Sequence, residues 1–167
     1  LYIKSPLLPD PILFGGGHEN ERRAGTENLS GIAGFVEAME RFVKKPVFSR
    51  TNIQPLTDRI SMLREIDGVN LISPISYKLA NTISFTVSDT DSMTLLAALD
   101  MEGICASSGS ACSAGSLNPS HVISAMGRSE KEANSLIRFS LGRETLEEDV
   151  DFVLGTFPKI IDRIRTS

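Results

Sequence analysis

From Asn28 to about Lys45 the apolar residues Leu29, Ile32, Ala33, Val36, Met39, Phe42 and Val43 recur at the spacing of one helical face, and Lys44-Lys45 before Pro46 closes the pattern. One long amphipathic helix follows. Thr51 with Gln54 three residues on resembles a capping box, and Leu56, Ile60 and Leu63 carry a second helix to Asp67-Gly68. The period then switches to two: Val69 to Ile72, Asn81 to Val87 and Ile137 to Leu141 alternate apolar with polar, as strands buried on one face do. Between them, Ser88 to Asp91 supplies N-cap chemistry for a helix through Leu95, Leu96 and Leu99 to Gly103, and Ile104-Cys105-Ala106 is apolar enough for a brief strand. Asn118-Pro119 reads as a cap and first-turn proline before a helix through Val122, Ile123 and Met126, while Ser129/Glu132 and Thr145/Glu148 are two further capping-box pairs. The last helix places Val150, Val153, Leu154, Phe157, Ile160, Ile161 and Ile164 mostly three and four apart, and Pro158 is expected to bend or split it. The fold class expected is α/β: a small, largely antiparallel sheet of about three strands covered by helices on one side.

Pro6, Pro9 and Pro11 keep the start extended or turned, and Gly15-Gly16-Gly17 forbids regular structure there. Leu1-Tyr2-Ile3 reads as a strand already in progress, without an initiator methionine, so the chain is expected to be a fragment.

The 167 residues, 41% hydrophobic and 23% charged, suffice for a domain with its own core. Seventeen basic against 21 acidic residues give a net charge of -4 without a basic block, which argues against nucleic acid as a partner. No apolar run approaches the roughly 20 residues of a membrane helix, and no secretory leader is legible. Two cysteines, Cys105 and Cys112, are too few for a disulfide framework, and a reducing, cytoplasmic compartment is expected.

Three stretches could carry chemistry. Ser107 to Leu117 sets Cys112 among small residues that bury nothing, so that thiol is expected to be exposed and mobile, whereas Cys105, between Ile104 and Ala106, reads as a small hydrophobe of the core. A free thiol ionises near ~8.5, so Cys112 needs an activating group to act as a nucleophile; composition alone leaves a functional and a passive surface thiol equally open. Gly15 to Asn28, with Arg22, Arg23 and Thr26 just ahead of a helix, has the ingredients of an anion site, although in isolation a linker followed by an ordinary cap is the simpler reading. Arg138 lies in an alternating apolar strand, where a charge either faces solvent or meets an acidic ligand. His18 and His121 have no partner at metal-ligand spacing, and no metal is expected.

Ser107-Ser108-Gly109-Ser110-Ala111-Cys112-Ser113, Arg22-Arg23-Ala24-Gly25-Thr26-Glu27-Asn28 and Ser135 to Arg143 together resemble the active-cysteine loop, the arginine-glycine-threonine motif and the substrate-arginine strand of the NifS/IscS cysteine desulfurases, a likeness running over nearly the whole chain. The resemblance implies the C-terminal domain of a fold-type-I pyridoxal 5'-phosphate enzyme: residues 1–13 a remnant of the large cofactor domain, and 14–167 the small domain with connecting helix 28–45 and active-cysteine loop 107–117. It implies that Cys112 attacks the sulfur of L-cysteine to leave alanine and a persulfide, that Arg138 binds the substrate carboxylate, and that Thr26 reaches the cofactor phosphate of the neighbouring subunit in a homodimer. It further implies delivery of sulfur to an acceptor or iron–sulfur scaffold protein. The cofactor lysine, the ring-stacking histidine and the aspartate that meets the pyridine nitrogen belong to a region expected before Leu1, so the fragment alone is expected to be inactive. Asn20-Glu21 replaces an arginine–glycine pair of many members. A selenocysteine lyase or an aminotransferase of the same superfamily is the rival enzymatic reading, and a cofactor-free sulfur carrier using Cys112 is the non-enzymatic one.

Overall fold

The computed structural model describes residues 3–44, 49–74, 77–109 and 120–166. Its contacts divide the chain into two units, Leu1–Pro46 and Val47–Ser167. Cys112, Asn118, Pro119 and the first residues of the expected opening strand lie outside the described residues.

In the first unit Asn28 caps helix α1, Leu29–Phe42, by accepting the Gly31 N–H on its side-chain oxygen at 2.9 Å. The amphipathic stripe read from the sequence is present, but none of its residues is buried: Leu29, Ile32, Val36, Met39 and Phe42 are all exposed, as is Phe35. Ahead of it, the glycine run leads into a tight turn over His18–Glu21 in which Glu19, Asn20 and Glu21 all have positive φ, at 53°, 55° and 63°. That left-handed region is costly for residues with a Cβ, with Asn among the more tolerant.

In the second unit helix α2, Arg50–Ile60, continues through a 3-10 turn, Ser61–Glu65, into strand β1, Val69–Leu71. Strand β2, Thr82–Val87, lies between β1 and β3, Leu136–Ser140, and both pairings are antiparallel. Helices α3, Ser92–Met101, α4, His121–Ala125, α5, Glu130–Asn134, and α6, Glu147–Arg165, complete it. The three-stranded antiparallel sheet is the architecture expected.

Alternation divides the sheet into two faces. Ile83, Phe85, Val87, Ile137 and Phe139 turn to the main core, where Ile53 and Ile60 of α2, Leu95 and Leu99 of α3 and Phe157, Ile160 and Ile161 of α6 meet them. Phe139 stacks edge-to-face against Phe85 and Phe157, at ring-centroid distances of 6.4 and 6.1 Å. The long helices thus take one face, while the short α4 and α5 add Ile123 and Ala133 to a smaller cluster with Ile72 and Leu136 on the other.

Several local expectations shift. The α2 cap is Ser49, whose hydroxyl accepts the Asn52 N–H, so Thr51 falls inside the helix. Helix α6 starts one residue later than the Thr145/Glu148 pairing implies: Asp149 accepts the Leu146 N–H at 2.9 Å, and Thr145 instead accepts the Gly142 N–H. Pro158 lies within one continuous helix. The ring removes a hydrogen bond and costs about 3 kcal/mol, but Val150, Phe157, Ile160 and Ile161 are all buried along that helix, each contributing roughly 1.5–3 kcal/mol. Ser129 and Glu132 form both halves of the expected capping box, and Asp91 caps α3 through the N–H groups of Met93 and Thr94.

Candidate functional site

The sequence segment 104–106 forms no strand, but Ser107 just beyond it makes an isolated antiparallel bridge to β3. Ser107 donates its N–H to the Arg138 carbonyl at 3.0 Å and accepts the Arg138 N–H at 2.7 Å, a two-way bridge on the edge of β3 away from β2. The same alternation turns Ile104 inward and Cys105 outward. Cys105 is exposed, which overturns its reading as a core residue: an extended segment pointing Ile104 into the core must point its neighbour away.

Arg138 faces Ser84 directly across the β2–β3 ladder, on the face opposite the main core. There it lines a pocket of roughly 180 Å³ with Ser84, Gly109, Ser120, Val122 and Met126. The Arg138 Nε is buried and has no hydrogen-bond partner among the described residues. A buried guanidinium N–H left unpaired is costly, and the fork of Arg matches a carboxylate. The pocket is smaller than the ~300–1,000 Å³ of drug-sized sites, so it suits the charged end of a small molecule. Ser73 is already engaged, accepting the Ser84 N–H on its hydroxyl at 2.9 Å.

Both ends of the cysteine-bearing loop close on this pocket. Gly109 and Ser120 line it together, and a Cβ at Gly109 would lie 3.8 Å from the Ser120 hydroxyl oxygen. Cys112 itself lies outside the described residues. In sequence it follows Gly109 by three residues.

A larger cleft of roughly 300 Å³, lined by Cys105, Phe139, Thr145, Asp149 and Phe152, offers less chemistry. Its Thr145 and Asp149 side chains are both occupied by backbone N–H groups.

In the first unit, Ala24 is tied back to Leu13 by a 3.3 Å backbone hydrogen bond, and Arg23 Nη1 donates to the Thr26 carbonyl at 3.1 Å. Thr26 is exposed two residues before the cap of α1. A free-standing hydroxyl, paired arginines and a helix start suit a phosphate.

Each donor set by itself suits an anion, the exposed Thr26 hydroxyl a phosphate and the Arg138 guanidinium a carboxylate. Among the described residues no lysine lines the Arg138 pocket, and Lys78 and Lys131 are ion-paired to Asp58 and Asp89. Among the described residues, no cluster of three or more His, Cys, Asp or Glu could hold a metal, and no helix is long and apolar enough to cross a membrane.

Sequence reasoning singled out Arg138, Thr26 and Cys112 but missed Ser84, Gly109 and Ser120 as pocket walls and Ser107 as the partner of Arg138. The alternation of Ser84 and of Arg138 in their strands carried the signal that both leave the core; their juxtaposition required the register.

The family model for class-V aminotransferases matches residues 11–153. Among curated relatives, the cysteine desulfurase IscS of Dictyoglomus turgidum is 39% identical over 99% of this chain and 43% of its own length. That of Methanosarcina thermophila is 40% identical, over 99% of this chain and 41% of its own length. The solved structure of a NifS-like protein from Rickettsia africae superposes with a TM-score of 0.78 at 31% identity, covering 93% of this chain and 41% of that one. The chain therefore spans about two fifths of the length of the proteins it matches.

Proposed function

The chain belongs to the class-V aminotransferase family, and on that premise we propose that it is the C-terminal part of a pyridoxal-phosphate-dependent cysteine desulfurase. The observation that carries this reading is the buried Nε of Arg138, without a hydrogen-bond partner among the described residues, in a small pocket walled by Gly109 and Ser120, the two described residues that bracket the loop of Cys112. The boundaries proposed are those of a large-domain remnant, 1–13, followed by the small domain, 14–167.

Arg138 holds the carboxylate of L-cysteine by a forked, charge-assisted contact and so fixes where the substrate sulfur lies. Thr26 donates its hydroxyl to the phosphate of pyridoxal phosphate, reaching that of the neighbouring subunit in a homodimer. When bound, the cofactor supplies an electron sink for the carbon skeleton. Cys112, as thiolate, forms a bond to the substrate sulfur while the carbon–sulfur bond breaks. The bonding pair stays with carbon, which takes up a proton to give alanine, and the transferred sulfur remains on Cys112 as a persulfide. The persulfide then passes its sulfur to an acceptor or iron–sulfur scaffold protein. Such chemistry needs reduced thiols, which a cytoplasmic location would supply.

The test is mass spectrometry of the full-length protein after incubation with L-cysteine and pyridoxal phosphate. One added sulfur atom is expected on the peptide containing Cys112 and none in Cys112→Ala. An unmodified peptide with the cofactor fully bound would move the assignment to an aminotransferase or selenocysteine lyase.

A further inference from the structure

We propose that Arg23 is a positioning residue that holds Thr26 in the orientation needed to bind a phosphate, an inference that rests on the phosphate role given to Thr26 above. The contact is specific in kind. Arg23 Nη1 donates to the main-chain carbonyl of Thr26 at 3.1 Å, not to a side chain, so it fixes the peptide plane and with it the direction of the Cα–Cβ bond.

Gly25 makes this geometry possible in two ways. Its φ of +90° turns the chain through a region that residues with a Cβ rarely enter, and a Cβ there would lie 3.3 Å from Arg23 Nη1. The guanidinium therefore lies against bare backbone. The turn is fastened at both ends: Ala24 N–H bonds Leu13 O at 3.3 Å, and Asn28 caps α1 through Gly31 N–H at 2.9 Å. Between these two fixed points the Glu27 carbonyl accepts the Leu29 N–H at 3.0 Å, and the Thr26 carbonyl is held by Arg23.

An electrostatic consequence follows. The Thr26 carbonyl oxygen carries partial negative charge only a few bonds from the hydroxyl that is to meet a dianionic phosphate. With a guanidinium N–H on that oxygen, its repulsion of the phosphate is offset, and the hydroxyl is pre-oriented as a donor.

The experiment is a double-mutant cycle in the full-length protein, with Arg23→Ala, Thr26→Ala and the pair, reading the Kd of pyridoxal phosphate from the visible absorbance of the bound cofactor. The same titration with pyridoxal, which has no phosphate, is the control. Loss of a hydrogen bond to a charged group predicts that Thr26→Ala weakens pyridoxal phosphate about ten- to a hundredfold, and Arg23→Ala about three- to tenfold. The pair should be no weaker than Thr26→Ala alone, because Arg23 acts only through Thr26. Pyridoxal binding should be unchanged in all three.

If Thr26→Ala binds pyridoxal phosphate as tightly as wild type, the phosphate role of Thr26 and this inference both fail. If Thr26→Ala is weakened but Arg23→Ala is not, or the two losses multiply, the inference alone is overturned, the multiplying case identifying Arg23 as an independent charge. Equal loss of pyridoxal in Arg23→Ala would also overturn it, marking a collapsed loop.

Discussion

Ser107 and Arg138 are joined by two reciprocal backbone hydrogen bonds, of 3.0 and 2.7 Å, although they stand 31 positions apart in sequence. The bridge fastens the start of the segment leading to Cys112 to the strand position whose side chain lines the pocket with Ser84, Gly109 and Ser120. In the function proposed above, the residue that holds the substrate carboxylate and the start of the segment bearing the nucleophile share one piece of backbone.

Ser107→Pro removes the N–H given to the Arg138 carbonyl, whereas Ser107→Ala leaves it in place. With reacting atoms misplaced by about 1 Å costing up to ~10²-fold, the proline variant of the full-length protein is expected to form the Cys112 persulfide roughly ten- to a hundredfold more slowly. Ser107→Ala should match wild type, and bound cofactor should be equal in all three. Quenched-flow labelling followed by mass spectrometry measures the rate; an unchanged proline variant would show that the bridge does not align the loop.

Arg138→Ala should raise the KM for L-cysteine about ten- to a hundredfold, the value of a charge-assisted hydrogen bond. Arg138→Lys restores charge without the fork and is expected to recover only part of it. Cofactor affinity should not move in either variant, and steady-state kinetics beside a cofactor titration separates the two effects. A KM untouched by Arg138→Ala would remove Arg138 from the substrate site.

Cys105 is exposed, so it should react with iodoacetamide in the folded protein without denaturant. Cys105→Ser should change stability by no more than ~0.5 kcal/mol, as exposed substitutions do, and should leave sulfur loading of Cys112 intact. Peptide mapping and urea unfolding read these; a Cys105 that labels only after unfolding would contradict the outward orientation.

The Asp91 carboxyl is held below its usual range chiefly by the hydrogen bond from the Thr94 hydroxyl, then by the backbone N–H of Thr94. Its folded-state pKa is lowered, so its contribution is complete above the unfolded value near ~3.9 and is lost as the pH falls through the lower folded value. Asp91→Ala should cost about 1 kcal/mol at neutral pH. The gap to wild type should narrow below about pH 4, in urea titrations repeated across pH; a gap that widens in acid would reverse the assigned sign.

The sequence by itself determined whatever depends on neighbours within about one helical turn. The stripe of α1, the period-two strands, the Asp91 cap and the Ser129–Glu132 capping box are set by local backbone hydrogen bonds and by the face each side chain takes, and all are present. Family motifs in the chain also marked Thr26 and Arg138. Tertiary structure decided the rest. Which residue meets Arg138 depended on register and on the free edge of β3: Ser84 lies opposite on one side, and Ser107 fills the other because that edge had unpaired backbone groups to satisfy. The exposure of Cys105 follows from Ile104 claiming the core, and the continuity of α6 through Pro158 from the side chains it buries, both long-range packing outcomes that no local window contains.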